Sequence, residues 1–170
     1  LFKREIGDGE YGLALVEARR AQAEAESTAA RLAALNEFMS DMLTAPTAEG
    51  GGHDVRVVDV LNQGAAGLED LQSAPDVRAE IAATLGAVHH RLGLWREGRR
   101  LLDEERTRAH ASLGAGHPAS LRITDELISV LEDQAELGAA EKLARDNARI
   151  RSETIGPDHP ETLRTKTTLA

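Results

Sequence analysis

The sequence predicts an all-α chain, an α-solenoid of helix hairpins preceded by a long N-terminal helix and a second helix. Three observations point there. Ala, Leu, Glu and Arg, which lose little side-chain freedom in a helix, dominate the 170 residues. Aromatic side chains make up only 2% of the chain (Phe2, Tyr11, Phe38 and Trp95), so a sandwich of aromatic-rich strands is excluded and any core is built from Leu, Ala, Val and Ile. Apolar residues recur at three- and four-residue steps, and the last hundred residues repeat themselves with a fixed period. The length suits one domain or a short run of repeats that pack on their neighbours.

Residues 1–12 hold Gly7, Gly9 and Gly12 and few large apolar side chains, and read as a leader or linker. Residues 13–72 form an N-terminal helical segment: a long helix to about Leu43, a loop over 44–55 and a second helix from about Val57 to Leu71. In the long helix, the stretch Glu17–Glu26 is Ala-rich and charged and is expected to project. Leu32, Leu35, Phe38, Met39, Met42 and Leu43 form an apolar stripe and are expected to be buried. Gly50, Gly51 and Gly52 mark the loop tip. The second helix is expected to bury Val57, Val60, Leu61, Leu68 and Leu71. Ser73-Ala74-Pro75-Asp76 then stops one helix and starts the next, with Pro in the first turn.

Residues 73–170 carry the repeats. Gly114-Ala-Gly-His117-Pro118-Ala-Ser-Leu121 returns as Gly156-Pro-Asp-His159-Pro160-Glu-Thr-Leu163, a shift of 159 − 117 = 42 residues. The same shift, without a gap, maps Arg122 to Arg164, Leu101 to Leu143, Trp95 to Leu137 and Gly98 to Ala140. Each period, about 76–117 and about 118–159, predicts two helices around a tight turn; a third begins at Pro160. The first helices span about Asp76–Leu92 and Pro118–Gln134, and the second Trp95–Leu113 and Leu137–Ile155. Gly93 turns the first pair and Ala135-Glu136 the second. In each Gly-x-x-His-Pro connector, Gly is expected to supply the left-handed residue that ends one helix, His to cap a backbone group and Pro to preset the next first turn. Gly86, Gly98 and Ala140 are expected at close helix approaches, with Trp95 the largest contributor to the core and the stacking of pairs supplying the rest.

These residues resemble tetratricopeptide (TPR) repeats of the 42-residue, kinesin-light-chain-like type, whose Leu-Gly…His-Pro-x-Thr-Leu hallmark is matched by Leu85-Gly86 and by His159-Pro160-Glu161-Thr162-Leu163. His89 stands where that pattern has Tyr, and Ile128 where it has Gly. The upstream residues, Glu17–Ala21, Leu35–Leu43 and Asp54–Leu61, look like the segment before such repeats in large bacterial regulators, some with a serine/threonine kinase domain and a membrane helix, others with a winged-helix DNA-binding domain. The resemblance implies a regulatory or sensor arm of a larger signalling protein. The absence of a Met before Leu1 and the stop at Ala170 inside a helical pattern carry the same expectation, with any chemistry residing in the parent chain.

Composition removes several chemistries. With 29 acidic against 20 basic residues the net charge is −9, which opposes the phosphate-counterion exchange that nucleic-acid binding needs. Cysteine is absent, so thiolate metal sites and disulfides are excluded, and no stretch reaches the roughly 20 apolar residues of a membrane span. Gly7-Asp8-Gly9-Glu10-Tyr11-Gly12 fits G-x-G-x-x-G, yet no Lys follows Lys3 until Lys142, so it lacks the phosphate-holding partner of a kinase loop. His89 and His90 are adjacent, hence about 100° apart on a helix, and no metal-ligand spacing occurs among the six His. His89 reads as a partly buried substitute for Tyr. Carboxylates alternate with Arg, as in Asp103-Glu104-Glu105-Arg106, and read as a solvated face. No catalytic, cofactor or metal residue is expected.

A protein- or peptide-binding wall is expected instead on the first helix of each pair. Repeat register assigns it Glu80, Ala83, Ala87, His90 and Arg91, then Arg122, Asp125, Ser129, Glu132 and Asp133, then Arg164 and Thr167. Homo-oligomerisation through the Ala-rich helix 17–34, which has too few large side chains for a core of its own, is the alternative, alongside a repeat arm of a transcriptional regulator. The cellular compartment follows the parent: cytoplasmic, or extracytoplasmic behind a membrane-spanning kinase.

Overall fold

A computed structural model describes the backbone of residues 2–44 and 56–167 and the side chains of residues 12–42 and 56–165. The chain is all-helical over these residues. The helices are α1 (Phe2–Thr44), α2 (Val57–Gly67), α3 (Pro75–Arg91), α4 (Trp95–Leu113), α5 (Pro118–Asp133), α6 (Leu137–Thr154) and α7 (Pro160–Thr167), with a 3₁₀ turn over Leu68–Leu71. The loop expected over 44–55 lies outside the described residues, except that Thr44 ends α1.

The helices are paired by turns that repeat in detail. Gly93 and Ala135 both take positive φ, +73° and +59°. After each, the same two backbone bonds close the helix: Leu94 N to His89 O and Gly93 N to His90 O in one, Glu136 N to Leu131 O and Ala135 N to Glu132 O in the other, all 2.9–3.0 Å. This pair of bonds satisfies carbonyls that the helix end leaves unpaired. The connectors from one helix pair to the next repeat as well. Gly114 and Gly156 have φ +90° and +103°, His117 Nδ1 accepts from Ala119 N, and His159 Nδ1 accepts from Glu161 N, both at 3.3 Å. Gly114 has ψ 154°, so it is extended with positive φ rather than left-handed helical.

α3 packs on α4, both pack on α5, α5 packs on α6 and α6 on α7; α2 and the end of α1 cover the open side of α3. Leu68, Leu102, Ile123, Leu127 and Val130 are fully buried. The closest crossing is α3 on α4, where a Cβ at Gly86 would stand 2.4 Å from Leu102 Cδ2, and one at Gly98 2.9 Å from His89 Cβ. Forty-two residues on, the partners exchange size: Ile128 replaces Gly86 and Ala144 replaces Leu102, and all four side chains' sites are buried.

Four details differ from the sequence expectation. α1 starts at Phe2, so the stretch read as a leader over 1–12 is helical from residue 2 on; no Pro occurs before Pro46, and the cost of three Gly, about 1 kcal/mol each, is spread along a helix of 43 residues. α2 tightens to 3₁₀ at Leu68, and Val57 at its start is exposed. Trp95 is 42% exposed and Leu137, its counterpart, is also exposed. Both open the second helix of a pair, at a turn that no described element covers, so Leu and Ala carry the core without Trp.

Two outcomes test the packing. Ala135→Gly removes a positive-φ strain of about 1 kcal/mol and raises urea stability by that order. Gly86→Ile destabilises by about 3 kcal/mol through overpacking against Leu102, and adding Leu102→Ala, which copies the second pair, recovers most of it.

Candidate functional site

The register positions assigned to the wall separate into open and inward-facing sets. Glu80, Arg122 and Arg164, at equivalent places on α3, α5 and α7, are exposed, as are Arg91 and Asp133. His90 and Glu132 are half-buried. Thr167 ends α7, and its side chain lies outside the described ones.

Ala83 and Ala87 are buried and so do not line an accessible wall. The reason is rotational: the position shared by Ala83 and Asp125 faces the second helix of each pair. Asp125 accepts from Asn147 Nδ2 at 2.7 Å and from Arg151 Nη2 at 2.5 Å, both on α6. Ser129, at the position of Ala87, is half-buried and donates to Asp125 O one turn back at 3.2 Å. Burial pushes the Asp125 carboxyl up, against the opposing pull of Arg151.

Cross-pair bonds tie the open positions together. His90 Nε2 lies 2.7 Å from Asp133 Oδ2, joining the end of α3 to the end of α5. Arg122 Nη2 donates to Thr84 Oγ1 at 3.3 Å, joining their middles. At the other edge of α3, Arg31 of α1 holds Asp76 at 2.9 Å and Glu80 at 3.0 Å. Glu80 is therefore engaged by α1. These pairs are solvent-exposed and contribute at most about 1 kcal/mol each, so they align the helices more than they stabilise them.

Behind the wall sits the ion pair that the sequence hides. Arg78 on α3 donates from Nε to Glu105 Oε2 at 2.7 Å and from Nη2 to Glu105 Oε1 at 2.8 Å, a two-pronged bond to α4. Both residues are buried, so Glu105 does not belong to the solvated face read from its neighbours Asp103, Glu104 and Arg106. Arg78 also reaches Glu69 at 3.1 Å, and the hydrogen bond from Arg78, with the charges of Arg78 and Arg108, holds the Glu69 carboxyl below the usual carboxylate range. At the equivalent places the second pair has Ser120 and Asn147. Its network is less complete: Ser120 Oγ, Asn147 Oδ1 and Arg151 Nε have no partner.

His89, His90, His117 and His159 have structural partners. His89 is buried, fuller than the partial burial expected, and its Nδ1 lies 2.7 Å from Leu85 O; a carbonyl only accepts, so Nδ1 carries the proton. Among the described residues no three His, Asp or Glu converge on a space for a metal ion, and no helix is long and apolar enough to cross a membrane.

Sequence reading missed one further surface. A groove of about 460 Å³ runs between the C-terminal half of α1 and α3, with Arg122 at its rim. Leu32 and Met39, expected to be buried, are 56% and 46% exposed along it. The apolar stripe of α1 is wider than the contact α2 and α3 offer, so Leu35, Phe38 and Met42 pack inward while the other edge stays open.

No family model matches the chain, and no curated protein matches it.

Removing one partner of the buried pair tests its role. Glu105→Ala leaves the buried Arg78 guanidinium with Glu69 alone and costs about 3 kcal/mol in urea denaturation, whereas Arg78→Met with Glu105→Leu returns stability close to that of the unmodified chain.

Proposed function

We propose that this chain is a non-catalytic protein–protein interaction or scaffold module, an α-solenoid of TPR-like hairpins that serves as the regulatory or sensor arm of a larger bacterial signalling protein such as a serine/threonine kinase. The observation that carries the reading is the 42-residue recurrence of both turn types, which sets α3 and α5 side by side as equivalent first helices with their open faces bonded to each other. A repeated helix pair cannot bury its apolar face alone, and stacking leaves an extended surface on which each repeat presents the same register positions. The resemblance of Leu85-Gly86 and His159-Pro160-Glu161-Thr162-Leu163 to kinesin-light-chain-like repeats supports the class of function and the larger parent.

The open register positions favour a peptide of mixed charge. Arg91 and Arg122 offer cations, while Glu132 and Asp133 offer acceptors, Asp133 at the repeat position of Arg91 and Glu132 one residue before it. The binding energy of such a surface concentrates in a few side chains, and Arg is among the residue types that supply it.

Selection of peptides from a random displayed library on the purified chain, followed by titration of the best binder, tests the reading. The expected result is a selected peptide whose affinity falls at least tenfold in the Arg91→Glu, Arg122→Glu chain while the helical circular dichroism is unchanged. Affinity that survives both substitutions overturns the wall as the binding surface.

A further inference from the structure

We infer that the groove between α1 and α3 is filled by the N-terminal half of α1 from a second copy of the chain, the two α1 helices running antiparallel. Every residue from Gly12 to Ala33 is exposed, and among the described residues this stretch is tied to another helix only near its end, by the Arg31 ion pairs to Asp76 and Glu80. It is not featureless. Ala14, Ala18, Ala21, Ala25, Thr28, Leu32, Leu35, Met39 and Met42 follow one another at alternating steps of four and three, the seam of a two-helix coiled coil. The large members of that seam line the groove opposite Val77 and Ile81 of α3.

The sizes along the seam choose the occupant and its direction. The first four positions are Ala and the last four Leu or Met, so a parallel pair in register would set Ala on Ala and Leu on Leu. An antiparallel pair sets Ala14 against Met39, Ala18 against Leu35, Ala21 against Leu32 and Ala25 against Thr28 of the second copy, by two-fold symmetry in both directions. Each layer then joins a small residue to a larger one, and the incoming helix is slim enough to lie between α1 and α3. Volume complementarity of this kind avoids both cavities and overpacking.

Charge agrees with the same arrangement. The chain as a whole carries −9, yet residues 12–33 contain three Glu and three Arg and are neutral, so this segment is not repelled from its own copy. The antiparallel register sets Glu24 beside Arg31 of the second copy on the flank of the seam, twice by symmetry. Ala14 to Met42 spans about 42 Å of helix, and a helix about 10 Å across lying against both α1 and α3 covers a strip of about 400 Å² per partner, the size of a weak, concentration-dependent interface. Two exposed apolar side chains, Leu32 and Met39, leave water in the process.

This dimer goes beyond the peptide-binding reading and does not rest on it; the two surfaces share Glu80 and Arg122, and their tests change different residues. Light scattering of the full chain at high micromolar concentration is expected to give twice the monomer mass. Ala21→Arg, at a site exposed in the single copy, is expected to halve that mass with the helical circular dichroism and its thermal transition retained. Because the chain has no cysteine, a spin label on Val16→Cys reports on direction without competition. Val16 lies outside the seam, and the antiparallel register sets the two labels about 30 Å apart along the axis. A monomer mass for the unmodified chain overturns the proposal, as does a double mass that survives Ala21→Arg, or labels within about 15 Å of one another. Peptide affinity that survives Arg91→Glu and Arg122→Glu, with the dimer intact, would leave this proposal standing and count against the wall alone.

Discussion

Close approach of helices that carry almost no aromatic side chains is the constraint on which the rest of the structure depends. A core of Leu and Ala gains its stability from many short contacts, and those require backbones to come within reach of one another. Gly86 and Gly98 make this possible between α3 and α4, where Leu102 and His89 occupy the space that a Cβ would need. With that crossing fixed, Arg78 and Glu105 are brought to bonding distance inside it, and the α3 face opposite is presented to α5 and α1. The buried ion pair is a consequence of the approach as well as a lock on it: a slip of one turn would strand both charges.

The turns were legible in the sequence because their chemistry is local. Gly93, Gly114 and Gly156 take the positive φ that Gly alone adopts freely, and His117 and His159 cap the residue two places on, as the Gly-x-x-His-Pro pattern implies. Ala135 shows the limit of that logic, since an Ala holds the same conformation as Gly93 through the hydrogen bonds around it. Side-chain burial was less legible. Glu105 follows the exposed Asp103 and Glu104 in a run of charges, and nothing in the run marks it; its partner Arg78 lies 27 residues away. Trp95 illustrates the opposite error, an apolar residue left at the surface because its helix begins there.

The candidate wall was half legible for the same reason. Repeat register finds equivalent positions but not the direction they face. The rotation of α5 is revealed only by Asp125 turning to Asn147 and Arg151 on α6. The groove beside α1 was missed although its signal, an unbroken seam from Ala14 to Met42, is present in the sequence; reading the Ala-rich and Leu-rich halves of the helix as two segments concealed it.

The exchange of Gly86 and Leu102 for Ile128 and Ala144 has a consequence for how the chain finds its fold. Repeats of similar sequence are prone to pair with the wrong neighbour, in one molecule or between two. Here α6 in the place of α4 on α3 would set Gly86 on Ala144 and leave a void, while α4 in the place of α6 on α5 would force Ile128 onto Leu102. Each wrong pairing is penalised by packing that the right one satisfies, so the size exchange acts as a lock and key between helices that the turns alone would treat as equivalent.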